Sequence, residues 1–306
     1  MKILLLGANG QLGRAFVEHG GLAARGELVT ASRDGRRFDG THIEAADLAQ
    51  PQMLPALLDR LRPQLIVNAA AYTAVDRAEQ EEALATCING EAVGVLGAWA
   101  AAHSARVLHY STDYVFDGRA NAPYPVDAPT APLGAYGRSK LAGEVALRGS
   151  GAAHLMLRTA WVYAPHGHNF LRTMLRLAAE RDELRVVADQ FGAPTSVGLI
   201  VAGSLAALDA WLADAAAPSL TEHLVASGHT SWHGFAHAIV DEAHARGLIS
   251  HKPSVVPIGT ADYPTPARRP AWSVLDNRGF DAKFGYRPAD WRERLGRTLE
   301  EIAPRG

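Results

Sequence analysis

The sequence predicts an α/β fold, a doubly wound parallel sheet carrying a smaller, discontinuous α/β lobe. Three observations lead there. An apolar run, Lys2-Ile-Leu-Leu-Leu6, passes directly into Gly7-Ala8-Asn9-Gly10-Gln11-Leu12-Gly13, which is the order strand, glycine turn, helix start. Similar short apolar runs recur with room for a helix between them, as expected of βαβ units joined by right-handed crossovers. Beyond Pro165 the pattern shifts to helical stretches and proline-bearing loops, so the second half does not simply continue the first.

Composition narrows the class further. With 306 residues, 48% hydrophobic and 20% charged, the chain can bury a large core. Its formal charge of -2 gives no global pointer to nucleic acid or an anionic membrane. The single cysteine, Cys87, excludes an internal disulfide and a thiolate metal cluster. The apolar start is too short for a signal segment, and the stretch 197–217 is interrupted by Ser204, Asp209 and Asp214. A cytoplasmic protein with no membrane span is therefore expected.

The first strand and its turn point to a nucleotide cofactor. Gly7, Gly10 and Gly13 let the backbone turn tightly and approach a pyrophosphate, whose charge is favoured at a helix N-terminus. The spacing G-x-x-G-x-x-G is a variant of the dinucleotide fingerprint. A second strand over 27–31 ends at Ser32-Arg33-Asp34, with Arg36 and Arg37 behind. A hydroxyl and a guanidinium there suit a 2′-phosphate, so NADPH is favoured, with NADH left open by Asp34. A third strand over 43–48 would put Asp47 near an adenine amino group, or Asp47 caps a helix before Pro51. The fourth run, 65–71, ends in Ala69-Ala70-Ala71, small enough for a cofactor to cross the sheet edge, and 72–76 forms the loop over it. A helix over 79–102 follows.

The fifth strand, 106–110, ends in Ser111-Thr112-Asp113 and thus offers hydroxyls at its C-terminal edge. A helix opening at Tyr136 places Lys140 four residues on, on the same face. A cation there would lower the phenol's pKa and suit it to deliver a proton to a carbonyl. In the second half, 154–158 reads as a sixth strand, 197–215 as a long amphipathic helix and 223–226 as a final strand. Thr230-Ser231-Trp232 opens another helix. His166, His168 and Asn169 read as a loop, since no acidic partner stands at metal-ligand spacing. Arg268-Arg269 suits a diphosphate. The expected division is 1–165 plus about 196–229 for the dinucleotide-binding, Rossmann-like domain, and about 166–195 plus 230–306 for the substrate domain.

Taken in order, Gly7-x-x-Gly10-Gln11-Leu12-Gly13, Asn68-Ala-Ala-Ala71, Ser111-Thr-Asp113 and Tyr136-x-x-x-Lys140 resemble the extended short-chain dehydrogenase/reductase superfamily. Val67 to Asp76, Ser111 to Gly118, Arg158 to Tyr163, Gln190 to Thr195 and Ala267 to Pro270 look like the dTDP-4-dehydrorhamnose reductase family within it. The resemblance implies NADPH-dependent reduction of the C4 ketone of dTDP-4-dehydro-L-rhamnose, a step towards surface polysaccharide such as lipopolysaccharide. It implies that Tyr136 gives the proton, that Lys140 holds the nicotinamide ribose, and that Thr112 orients the carbonyl. Asp113 and Trp161 would meet the sugar nucleotide. Gly10, Gln11, Leu12, Asp47, Leu48, Ala71, Tyr72 and Thr73 would line the cofactor, with Tyr110 nearby. It also leaves room for a homodimer and for Mg²⁺, to which no carboxylate here can be matched. The competing readings are another nucleotide-sugar epimerase or reductase and a non-catalytic NADP-binding regulatory subunit.

Overall fold

Ile3-Leu-Leu-Leu6 and Leu65-Ile-Val67 carry no polar face, so each is stable only as a strand covered on both sides. The computed structural model, which describes residues 1–214 and 216–303, places them side by side with none of these side chains more than 1% exposed. In chain order the strands are β1 Lys2–Leu6, β2 Glu27–Ser32, β3 Glu44–Ala45, β4 Leu65–Asn68, β5 Arg106–Thr112, β6 Ala153–Thr159, β7 Val162–Tyr163, β8 Glu183–Val187, β9 Phe191–Gly192, β10 Thr195–Ser196, β11 Leu220–His223, β12 Thr230–Ser231 and β13 Ser254–Ile258. Seven of them form one parallel sheet in the order β11-β6-β5-β4-β1-β2-β3. The winding reverses between β1 and β4, so a crevice opens beyond their carboxyl ends.

Alternate side chains of each strand feed two layers. Ile3, Leu5, Val67 and Leu108 pack with Phe16 of the helix Gln11–His19 and with Leu205 and Leu208 of the helix Val197–Leu212. Leu4, Leu6, Ile66 and Val107 pack with Leu58, Leu96 and Leu147 on the opposite face. Two segments leave the expected course. Beyond β2 the third strand shrinks to Glu44–Ala45, because Asp47 accepts from the Ala49 amide at 3.0 Å and turns the chain into Pro51–Met53. The last strand lies at Leu220–His223 rather than 223–226: its register ends at His223 opposite Arg158, and the Ala226 amide turns away to the Thr195 hydroxyl at 3.2 Å.

The helix expected from residue 79 begins at Glu82 and contains a π-turn at Cys87–Glu91. It is long and apolar enough to cross a membrane, but Val93, Leu96 and Ala100 are buried in the protein core. The helix expected over 197–215 ends at Leu212, and its expected last residue, Ala215, lies outside the described residues. It is not amphipathic: it is enclosed by the sheet and by the helices Gln11–His19 and Arg278–Phe284, and buries residues from Val197 to Trp211 on most faces.

The C-terminal lobe pairs β8 with β13 and covers them with the helices Phe170–Glu180 and Trp232–Ala245. Ser231 caps the latter through the Gly234 amide, as its sequence predicts. The apolar cluster behind β1 continues into this lobe through Leu184, Phe235, Ile239 and Trp291. Lobe and sheet thus share one core.

Candidate active site

At the mouth of β1 the chain is shaped by what glycine lacks. Gly7 has φ +82°, and a Cβ there would lie 2.7 Å from the Ala70 nitrogen. A Cβ at Gly13 would lie 2.0 Å from the Gly7 carbonyl oxygen, so helix and turn can approach only without one. Gly10 caps the helix Gln11–His19 without a side chain, and its own Cβ position is nearly open, with Gly7 O nearest at 3.4 Å. First-turn amides have no helical carbonyl to bond. A diphosphate fits this combination of free donors and bare backbone.

The tip of β2 divides its expected pair. Ser32 is 3% exposed, and its hydroxyl is committed to the turn, reaching Asp34 Oδ1 at 2.9 Å and the Arg36 carbonyl at 2.8 Å. That hydrogen bond, with a further one from the Arg36 amide, also holds the Asp34 carboxyl below its usual range. Arg33 and Arg36 stay exposed, so a 2′-phosphate would meet guanidinium rather than the buried hydroxyl. Asp47 lies half-buried at the end of the next turn and Leu48 is buried behind it. Ala69, Ala70 and Ala71 line the end of β4 half-buried, followed by Tyr72 and an exposed Thr73.

Tyr72 brings in a residue the sequence reading missed. Asn89, inside the π-turn, accepts from the Tyr72 amide at 2.8 Å and donates to its carbonyl at 3.0 Å and to Ser139 Oγ at 2.9 Å. The available signal was an Asn-Gly pair in the middle of an apolar helix.

β5 delivers Thr112, and the helix Ala135–Gly149 delivers Tyr136 and Lys140 to the same place. The Thr112 hydroxyl donates to Asp113 Oδ1 at 2.9 Å, accepts from the Tyr114 amide at 3.2 Å and lies near enough to the Tyr136 phenol to influence its ionisation. Lys140 is 3% exposed and donates to the Tyr110 carbonyl at 2.6 Å. Burial lowers its pKa to about 8, with the Glu144 charge opposing that shift. The expected tuning of the phenol differs: burial raises the Tyr136 pKa, and the group that opposes the rise is the Thr112 hydroxyl, not Lys140. The phenol is thereby kept protonated and able to donate.

Asp113 is 2% exposed, and burial raises its carboxyl to about 6 against the hydrogen bonds of Ser273 and Thr112. Its Oδ2 is buried with no hydrogen-bond partner among the described residues. Ser273 comes from the C-terminal lobe and went unread in the sequence. So did Tyr114, whose ring meets Tyr136 edge-on at 5.6 Å, and Glu144, which is 0% exposed and takes both Arg158 Nε and Nη2 at 2.8 Å.

The expected Arg268-Arg269 pair separates. Arg269 Nη2 bonds Asp76 Oδ2 at 2.7 Å and its Nη1 donates to Tyr114 Oη at 3.1 Å, which ties the lobe to the catalytic strand end. Arg268 is exposed, and both line a cavity of about 530 Å³ with Thr260, Tyr263 and Ala267. Trp161, just past β6, has φ 47° and stacks on Trp232. His166 and His168 sit in a loop, with His166 Nδ1 3.9 Å from Glu18 Oε2. Asn169 caps the next helix and donates to Gln11 Oε1 at 2.8 Å. No group of three His, Cys, Asp or Glu at metal-ligand distances occurs among the described residues.

The family model "RmlD substrate binding domain" matches residues 1–303. A dTDP-4-dehydrorhamnose reductase of Burkholderia thailandensis is 46% identical over 99% of both chains. Among solved structures, a dTDP-4-dehydrorhamnose reductase of Clostridium acetobutylicum is 33% identical with a TM-score of 0.87 over 99% of both chains. The Bacillus anthracis enzyme of that name, in complex with NADP, is 30% identical with a TM-score of 0.85, covering 98% of this chain and 99% of its own. By sequence along its whole length and by fold, the chain belongs to the RmlD family, that of the dTDP-4-dehydrorhamnose reductases.

Proposed function

We propose that this protein is an NADPH-dependent reductase that converts the C4 ketone of dTDP-4-dehydro-L-rhamnose to dTDP-L-rhamnose, supplying an activated deoxysugar for surface polysaccharide. The observation that carries the reading is the convergence of the Thr112 hydroxyl at the end of β5 with the Tyr136 phenol and the buried Lys140, which bonds the Tyr110 carbonyl, at the crevice beyond the sheet. Two hydroxyls placed side by side in this way can both reach one ketone oxygen.

The glycine turn, Ala69–Ala71, Arg33 and Arg36 would hold NADPH, which when bound supplies the hydride. The remaining work belongs to this chain's side chains. As negative charge grows on the ketone oxygen, Thr112 turns its hydroxyl from Asp113 Oδ1 to donate a hydrogen bond to it, and Tyr136 transfers its proton. The Lys140 ammonium, held on the Tyr110 carbonyl, would hold the nicotinamide ribose. Asp113, with its unpartnered oxygen, would accept from a sugar hydroxyl, and Arg268 would meet the diphosphate. Arg269 would do so only by leaving Asp76. Dehydration is disfavoured because Thr112 is followed by Asp113-Tyr114, with no second acid, and the intact hydroxyl pair disfavours a non-catalytic subunit.

We divide the chain at about 165, 196 and 229, since Val197–Leu212 and β11 return to the main sheet while β8 and β13 pair with each other outside it. The domain's last three residues, 304–306, lie outside the described residues. The same reading places the enzyme in the cytoplasm, acting on a small nucleotide sugar without nucleic acid or membrane, as a charge of -2 suits. The homodimer rests on the resemblance alone, and Mg²⁺ has no ligands to name.

NADPH absorbance followed with dTDP-4-dehydro-L-rhamnose, and separately with UDP- and GDP-linked keto sugars, tests the assignment. Oxidation with the first and little with the others is expected. Absence of turnover with the dTDP sugar, or faster turnover of another, overturns it.

A further inference from the structure

Three described non-glycine residues have positive φ: Arg62, Ser104 and Trp161. Arg62 and Ser104 follow helices, where a left-handed residue closes the last turn. Trp161 lies between β6 and β7, and a bulky ring at φ 47° is a genuine outlier that only its surroundings can hold. Those surroundings are specific. Its ring lies flat on Trp232, with centroids 3.5 Å apart and planes within 3°, and Phe170 leans on Trp232 at 4.6 Å. Its carbonyl accepts from the Thr195 amide at 3.1 Å. Gly192 clears the remaining space: a Cβ there would lie 2.3 Å from the indole Cε2 and 2.4 Å from Nε1. The Trp161 indole N–H has no hydrogen-bond partner among the described residues, so the strained backbone holds a half-buried ring, stacked on one face by Trp232, with one free donor.

We propose that Trp232 and Gly192 are positioning residues for the sugar, holding Trp161 preformed for a deoxyhexose, whose ring combines an apolar face with hydroxyl acceptors. The inference rests on the assignment of Trp161 to the sugar. Register places the platform close to the chemistry: Thr159, two residues before Trp161, pairs with Thr112. A ring already fixed in place loses no rotamer freedom when the sugar arrives, so the benefit falls on binding rather than on the proton transfer.

Trp232→Ala should raise KM for the nucleotide sugar about tenfold and change kcat by less than about threefold, with NADPH affinity unaltered. Trp232→Phe, which keeps a stacking partner, should restore most of the affinity. The parallel indoles should give an exciton-split circular dichroism band that is lost in Trp232→Ala and in Trp161→Phe alike. Gly192→Ala keeps both indoles but displaces one of them, and should raise KM while weakening the band. If Trp161→Ala raises KM while Trp232→Ala and Gly192→Ala leave it within about twofold, the positioning role falls and the sugar assignment stands. If Trp161→Ala leaves KM unchanged, the assignment itself falls.

Discussion

Along β1 the crevice wall is main chain: Gly7, Gly10 and Gly13 bring bare backbone and first-turn amides to the surface, and the alanines ending β4 keep clear of it. Along β5, β6 and the helix Ala135–Gly149 the wall is ionisable side chain, with Asp113, Lys140, Glu144 and Arg158 each no more than 3% exposed. The first wall depends on steric clearance and changes little with pH. The second concentrates desolvated charge, which costs stability unless paired and makes the same groups reactive. Substitutions on the two walls should therefore fail in different ways: size and cofactor affinity on one, rate and pH dependence on the other.

The largest effect expected on the charged wall is on rate. Tyr136→Phe removes the proposed donor while keeping the ring against Tyr114, so kcat should fall about 10³-fold, or about 4 kcal/mol, with NADPH affinity nearly unchanged. Steady-state rates and a cofactor titration measure both. Retention of more than about a tenth of the activity, about 1.4 kcal/mol, removes Tyr136 from the acid role.

Glu144→Gln should show the second wall as a stability element. It leaves the Arg158 guanidinium, 4% exposed, without its bidentate partner, and breaking a buried pair from one side costs about 3 kcal/mol. Burial alone would raise the Glu144 pKa, but the hydrogen bonds and charge of Arg158 lower it overall. A carboxyl lowered in the fold stabilises above its unfolded value of 4.5 and loses that contribution as pH falls through its folded value. Urea denaturation should thus show a gap between wild type and variant that is full at neutral pH and narrows in acid. A gap independent of pH would assign the loss to packing.

The same contrast explains what was legible in the sequence. Glycine spacing, the alanine strand end and Tyr136-x-x-x-Lys140 are local, and local geometry follows from local sequence. Asp76 and Arg269 meet from 193 residues apart, and Ser273 reaches Asp113 only because the C-terminal segment folds back over β5. No local pattern encodes such pairs. The errors are of the same kind. Ser32 looked like a phosphate ligand from its place in the chain, but its hydroxyl closes the turn behind it. The amphipathic reading of 197–215 failed because a second helix covers the outer face of Val197–Leu212. Asn89 was hidden because a π-turn redirects a side chain that a regular helix would place elsewhere.

Asp113 should reveal a trade between stability and function. Its carboxyl rises from 3.8 to about 6, chiefly by burial, so the fold favours the neutral acid. That preference is fully present below 3.8 and lost as pH rises through about 6. Asp113→Asn should therefore match wild type near pH 4 and exceed it by about 2 kcal/mol at pH 7, while turnover of the nucleotide sugar falls. Thermal melts at the two pH values, beside a KM measurement, check this. Equal stability at pH 7 would mean that the buried Oδ2 is solvated.

The backbone wall has one charged margin, at the tip of β2, and there the smallest effect is expected. Arg33 is exposed with Ser32 withdrawn beneath it, so its contact with a 2′-phosphate would be charge-assisted yet screened by solvent. Arg33→Ala should weaken NADPH about tenfold and leave NADH almost untouched, and added salt should erode the preference of wild type for NADPH more than that of the variant. Titrations of both cofactors at low and high salt distinguish the cases. Equal weakening of both would show Arg33 supporting the turn rather than reading the phosphate. An unchanged preference in Arg33→Ala that disappears in Arg36→Ala would move the phosphate to the neighbouring guanidinium, whose carbonyl is already held by Ser32 Oγ and Asn9 Nδ2.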